Sequence, residues 1–150
     1  MRVITVRQPW AWAIIHGQKD VENRTRNIAG SYRGPVAIHA ALRYSDEAWE
    51  STTLNAAVAF GSNADSHDLI ERRGAIIGVV DLVGVHLSAT HEERWNVELE
   101  RREQCSPWAM VDHYHLVFEN PRPIDPIPAK GKLGLWRPDA ELLAQIEAAL

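Results

Sequence analysis

Residues 7–25 read RQPWAWAIIHGQKDVENRT, and the character of the chain changes abruptly at their middle. Pro9 suits the first turn of a helix, where its missing N–H costs nothing, and Gly17 suits the stop. Between them Trp10 and Ile14 share one stripe and Ala11 and Ile15 the next, so the spacing predicts a short helix with a buried face. Directly behind it come Lys19, Asp20, Glu22, Arg24 and Arg26. In extended chain Glu22 and Arg24 lie on one face, two residues apart, while Lys19 falls an odd step away. The three groups meet only if the chain bends between Lys19 and Glu22. Without that bend the segment is a solvated turn with an ion pair worth less than about 1 kcal/mol.

Working outward, RVITVR (2–7) alternates, with Val3, Thr5 and Arg7 on one face and Ile4 and Val6 on the other, and reads as a strand. RGPVAIHAA (33–41) reads as a second strand. SDEAWESTTLNAAVAF (45–60) predicts a helix, capped by Ser45 and with acids in its first turn. GSNADSHD (61–68) is rich in turn formers. GAIIGVVDLVGVHL (74–87) is the longest apolar run and the best central strand, with Gly78 and Gly84 permitting bends. The polar stretch 88–104 reads as a loop with a helical turn, and HYHLVFEN (113–120) as another strand. The proline-spaced residues 121–136 read as an extended connection into a last strand near Leu133–Trp136. Residues 137–150 complete the chain as a helix with Pro138 near its start. Strands outnumber helices and no βαβ alternation appears. That pattern predicts one α+β domain over 1–150, a small bent β-barrel with flanking helices.

The net charge of −4 excludes a protein that holds polyanions by bulk attraction. The charge is unevenly spread, however. Residues 1–43 carry seven basic groups against two acids, whereas 44–103 carry five against twelve. Between 122 and 137, Arg122, Lys130, Lys132 and Arg137 face only Asp125. Folding can therefore build one basic face from the two ends of the chain. Cys105 is the single cysteine, so no intrachain disulfide is expected, and a reducing compartment fits. The start has no apolar core of signal-peptide length and no run is long enough to span a membrane, so the expected location is cytoplasmic.

Residues 7–25, together with RGPVAIHAA and KGKLGLW (130–136), resemble the ASCH domain family, relatives of the PUA domain. Gly17, Lys19, Glu22 and Arg24 match that family's signature G-x-K-x-x-E-x-R at every defined place. Residues 44–73 and 88–105 carry no family pattern, and Thr25 and Arg26 stand where many members have an aromatic. The resemblance implies a five- or six-stranded PUA-like barrel with a cleft lined by the signature. It also implies binding of RNA or nucleotides. One branch of the family removes the acetyl group of acetylated cytidine, and another is described as a ribonuclease. In the first branch the matching lysine is catalytic, but a threonine stands where this chain has Glu22.

The residue chemistry supports either use. Arg24 offers a planar fork for phosphate or a base edge, and Lys19 a point charge. Glu22 accepts from an exocyclic amine, which favours a base over a bare phosphate. Trp10, or Trp136 from the last strand, is placed to stack on a base. Gln8, Asn23, His39, Lys130 and Lys132 complete the expected nucleic-acid-binding set. For a metal-independent hydrolase, Lys19, Glu22 and Arg24 are the catalytic candidates. In the preferred version Glu22 activates a water and a cation holds the oxyanion, with His39 as a second acid–base group or a buried, backbone-bonded histidine. A third possibility is an adaptor whose cleft contacts protein. No cofactor is implied, and no oligomer. His113 and His115 alternate as a ligand pair would, yet no cysteine or carboxylate stands at a recognisable spacing, so no metal centre is expected.

Overall fold

The alternation in β1 (Arg2–Gln8) sends Ile4 and Val6 to one face of a sheet and Val3 to the other. A computed structural model describes residues 1–61, 65–88, 95–96, 101–102 and 105–150. After β1 come α1 (Trp10–His16), β2 (Val21–Arg24) and β3 (Gly34–Tyr44). A 3-10 turn (Asp46–Glu50), α2 (Thr52–Gly61) and α3 (Asp65–Glu71) lead to β4 (Ala75–Leu87). The short strands β5 (Trp95–Asn96) and β6 (Arg101–Arg102) pair with each other. Then β7 (Tyr114–Pro128), β8 (Leu135–Trp136) and α4 (Ala140–Ala148) complete the chain.

Six strands form one sheet in the order β2-β7-β4-β3-β1-β8. β1 runs parallel to β3, and every other pairing in that sheet is antiparallel. Register shifts in the β1–β3, β3–β4 and β4–β7 ladders bend the strands, and the sheet curls into an α+β half-barrel. Helix α1 fills one face: Ala11, Ile14 and Ile15 meet Ile4, Val36, Ile38, Ile77, Val80 and Leu116. Its far side packs through Trp12 and Ala13 on Ala48, Leu54 and Ile70. The opposite sheet face packs Val3, Ala37, Ile76 and Val79 under Trp136 and Ile146. A buried aliphatic chain contributes about 1.5–3 kcal/mol, so this seven-residue helix is held by packing and not by its own propensity.

Four readings of the sequence are corrected. The helix expected over 45–60 is split: Ser51 adopts extended backbone, its Oγ accepts from the N–H of Leu54 at 3.2 Å, and it starts α2 afresh. Ser45 makes no side-chain cap bond. Within the turn-rich 61–68, Asp65 already opens α3, while 62–64 lie outside the described residues. In 88–104, residues 95–96 and 101–102 form the β5–β6 pair in place of the expected loop, and the expected helical turn lies outside the described residues, which leave out 89–94, 97–100 and 103–104. Residues 121–128 are no connection but the second half of β7. Strand β2 covers β7 at Tyr114–Val117, and Phe118 N–H still donates to the carbonyl of Asp20. Past that no strand among the described residues pairs with the outer edge, so prolines lose no ladder bond there.

Candidate functional site

The bend that the signature requires lies at Gln18. Helix α1 ends when Gly17 N–H and Lys19 N–H both donate to the carbonyl of Ala13, each at 2.9 Å. Gln18 between them takes a left-handed φ of 59°. Gly17 lies so close to the helix that a Cβ there would stand 2.9 Å from Ala13 Cα and 3.0 Å from the Trp12 ring. A side chain at 17 would push the turn outward. The chain then enters β2, and the three charges converge. Lys19 Nζ lies 3.2 Å from Glu22 Oε2 and also donates to the carbonyl of Val21. Glu22 Oε1 lies 3.0 Å from Arg24 Nη2, which donates to the carbonyl of Thr5 at 3.2 Å.

Water is nearly excluded from this triad at one end. The Lys19 side chain is 2% exposed, Glu22 12% and Arg24 30%. Burial pushes the Lys19 ammonium below its ordinary value, and the charge and hydrogen bond of Glu22 partly oppose the shift. The carboxylate between two cations is therefore a desolvated pair at one oxygen and a half-solvated one at the other.

Two hollows open on either side of Glu22, and Trp10 and Glu22 line both. The first, of about 410 Å³, is walled by Lys19, Asn23, Trp108 and Met110. Trp10 and Trp108 stand edge to face there, centroids 6.3 Å apart, and the Lys19 ammonium lies 5.8 Å from the Trp10 ring. The second, of about 720 Å³, is a groove into which Arg7, Arg24, Arg43, Lys130 and Lys132 bring positive charge. Among the described residues, Glu22 is the one carboxylate on its lining. The two ends of the chain thus meet in one basic groove, where Gly131 lets the 130–134 loop settle: a Cβ there would stand 2.7 Å from the His39 ring.

Lys19, Glu22, Arg24, Trp10, Lys130 and Lys132 are brought together around these hollows. Other expected members do different work. Gln8 is wholly buried: its Oε1 accepts from Trp12 N–H at 2.9 Å and its Nε2 donates to the carbonyls of Leu69 and Arg72 at 3.3 and 2.9 Å. It ties β1 to α1 and α3. Trp136 packs with Val3 and Ile146, and Lys132 covers its ring at 5.0 Å, so it is no stacking platform. His39 borders the groove but is 2% exposed, with Nε2 on the carbonyl of Ala129 at 2.9 Å. Burial lowers its pKa, so it is the buried, backbone-bonded histidine of the two readings.

Asn23 spends its amide on the 106–110 loop. Its Nδ2 donates to the carbonyl of Trp108 and its Oδ1 accepts from Met110 N–H, both at 2.9 Å. Ser106 completes the anchor by donating to Asp20 Oδ1, while its own Oγ accepts from Trp108 N–H at 3.0 Å. The residues that sequence reasoning missed are therefore Arg7, Arg43 and this loop anchor. Arg7 had a signal, since it alternates with Thr5 on the face that meets the groove. Arg43 and Ser106 had none, because only long-range packing brings them there.

The family model of the ASCH domain matches residues 4–128. Solved structures of the ASCH protein ZmASCH from Zymomonas mobilis are similar along nearly the whole chain. A Tyr-to-Phe variant is 16% identical with a TM-score of 0.57, over 99% of this chain and 98% of that one. The unmodified protein is 14% identical with a TM-score of 0.55, over 99% and 95%. At such identities the likeness is one of fold. Among the described residues no helix is long and apolar enough to cross a membrane.

Proposed function

This chain belongs to the ASCH domain family, and we propose that it binds single-stranded RNA or a nucleotide, base in the tryptophan-walled hollow and phosphates along the basic groove. The observation that carries the reading is the shared border: Trp10 and Glu22 line both cavities, which sets a stacking ring and a hydrogen-bond acceptor directly beside the cationic groove. An aromatic pair offers stacking to any base, and Glu22, whose oxygens each keep a further lone pair, accepts from an exocyclic amine. Arg7, Arg24, Arg43, Lys130 and Lys132 neutralise phosphates. The test is fluorescence anisotropy of labelled single-stranded RNA oligomers over a range of salt. Affinity should fall with log[salt] at a slope of about −0.7 for each phosphate neutralised. Binding indifferent to salt would overturn the reading and favour a protein partner.

One observation favours a second reading, hydrolysis of RNA or of an acetylated nucleoside: Lys19 is buried, pushed toward its neutral form and hydrogen-bonded to a carboxylate. Such a pair suits proton transfer. Incubation with RNA oligomers and with acetylated cytidine decides between the two. Turnover that disappears in both Lys19→Ala and Glu22→Gln supports the enzyme, and binding weakened with no turnover supports the module.

A further inference from the structure

At the far end of the long β4–β7 ladder, His86 and His115 are direct cross-strand partners, so their side chains rise from the same face. The rings stand edge to face, centroids 5.1 Å apart, with His86 Nε2 3.2 Å from His115 Nδ1. Cys105 enters from the loop before β7 and sets its Sγ 3.1 Å from the same Nδ1. One ligand-capable atom from each of the three lies within 4.8 Å of the other two.

The decisive detail is behind His115. This residue is fully buried, and its Nε2 lies 2.7 Å from the carbonyl of Met110. A carbonyl only accepts, so Nε2 carries the proton and Nδ1 is left with a lone pair aimed at the sulfur and at His86. A backbone acceptor that fixes the tautomer of a ring is the usual support behind a metal-bound histidine. Tetrahedral zinc at about 2.0–2.1 Å from nitrogen and about 2.3 Å from sulfur spaces its ligands about 3.3–3.6 Å apart. The two short separations here fall within a few tenths of an ångström of that.

We propose that His86, Cys105 and His115 form a binding site for a zinc-class divalent ion, a His2Cys set among the described residues. The thiol gives up its proton to solvent as the sulfur–metal bond forms, and the two imidazoles bind as neutral ligands. Both nitrogen and thiolate donors favour zinc over magnesium or calcium, which take oxygen. His113, two residues away in sequence, is not part of the set, since its Nδ1 turns back to the carbonyl of Val111 at 2.7 Å. The site also touches the wall of the tryptophan hollow. Met110 accepts from His115 while its N–H donates to Asn23, so a bound ion would brace the loop that carries Trp108.

The full chain, freed of metal by a chelator, is titrated with Co2+ and then Zn2+, with far-ultraviolet circular dichroism recorded throughout. The expected result is one Co2+ per chain with a sulfur-to-cobalt charge-transfer band that Zn2+ displaces, and a melting temperature raised by zinc. Cys105→Ser should abolish the band, and His86→Ala should weaken zinc by about tenfold or more. Both residues are exposed, so neither change should alter the fold. The absence of a thiolate band, or zinc affinity equal in wild type and either variant, would overturn the proposal.

Discussion

Glu22 holds Arg24 at 3.0 Å from one carboxylate oxygen and Lys19 at 3.2 Å from the other, so a single acid keeps two cations at one border between two cavities. Removing it leaves each cation with only a backbone carbonyl, that of Val21 for Lys19 and that of Thr5 for Arg24, and Lys19 in almost complete exclusion from water with no countercharge at that distance. Breaking a buried pair from one side typically costs about 3–5 kcal/mol. Glu22→Ala should therefore destabilise the fold by about 3 kcal/mol in urea denaturation, and Glu22→Gln by less, because the amide oxygen still accepts from Lys19.

Lys19 makes stability depend on alkaline pH. Its folded pKa is lowered from 10.5, chiefly by burial, so the unfolded chain binds its proton more tightly than the folded one. Stability contributed at this position rises with pH through the range below 10.5, up to the unfolded value. Compared with Lys19→Met, wild type should gain stability as the pH is raised towards 10.5, as read from urea midpoints. A gap that stays constant would place the proton elsewhere.

Gln8 stands beside the signature in sequence but acts through the core. Gln8→Ala leaves Trp12 N–H and the carbonyls of Leu69 and Arg72 short of a partner, at about 1–3 kcal/mol for each group that water cannot reach. The melting temperature should drop, while RNA affinity measured well below it stays unchanged.

Asn23→Ala frees the 106–110 loop from two hydrogen bonds. Amide exchange at Met110 should speed up, and ligand binding should weaken although the variant removes no expected ligand contact from the basic groove. Unchanged exchange would show that Ser106 and Asp20 suffice to hold the loop.

Stacking and phosphate contacts separate by their salt response. Trp10→Ala should cost about 1–3 kcal/mol of RNA affinity and leave the salt slope as it was. Lys130→Ala with Lys132→Ala should flatten the slope by one to two phosphates' worth, about 0.7 each. The same slope in all three proteins would remove both residues from the interface.

Local chemistry was legible in the chain itself. The Pro9 and Gly17 punctuation, the alternation of RVITVR and the run 74–87 each write their own element, because propensity and side-chain period act between neighbours. The split at Ser51 was hidden, since the acids after Ser45 and the serine at 51 both make acceptable starts and only packing chooses. The prolines of β7 misled for a similar reason: a proline is barred from a paired edge, and which edge is unpaired is not written locally.

The sequence by itself determined the family signature, the α+β class and the need for a bend between Lys19 and Glu22, all of which depend on short spacings. Only tertiary structure decided that Trp10 faces a hollow while Trp136 and Gln8 serve the core. The same holds for Arg43 and Lys130 sharing a groove, and for Cys105 finding His86 and His115. These relations join residues far apart along the chain, and burial and register, which no local pattern encodes, fix them.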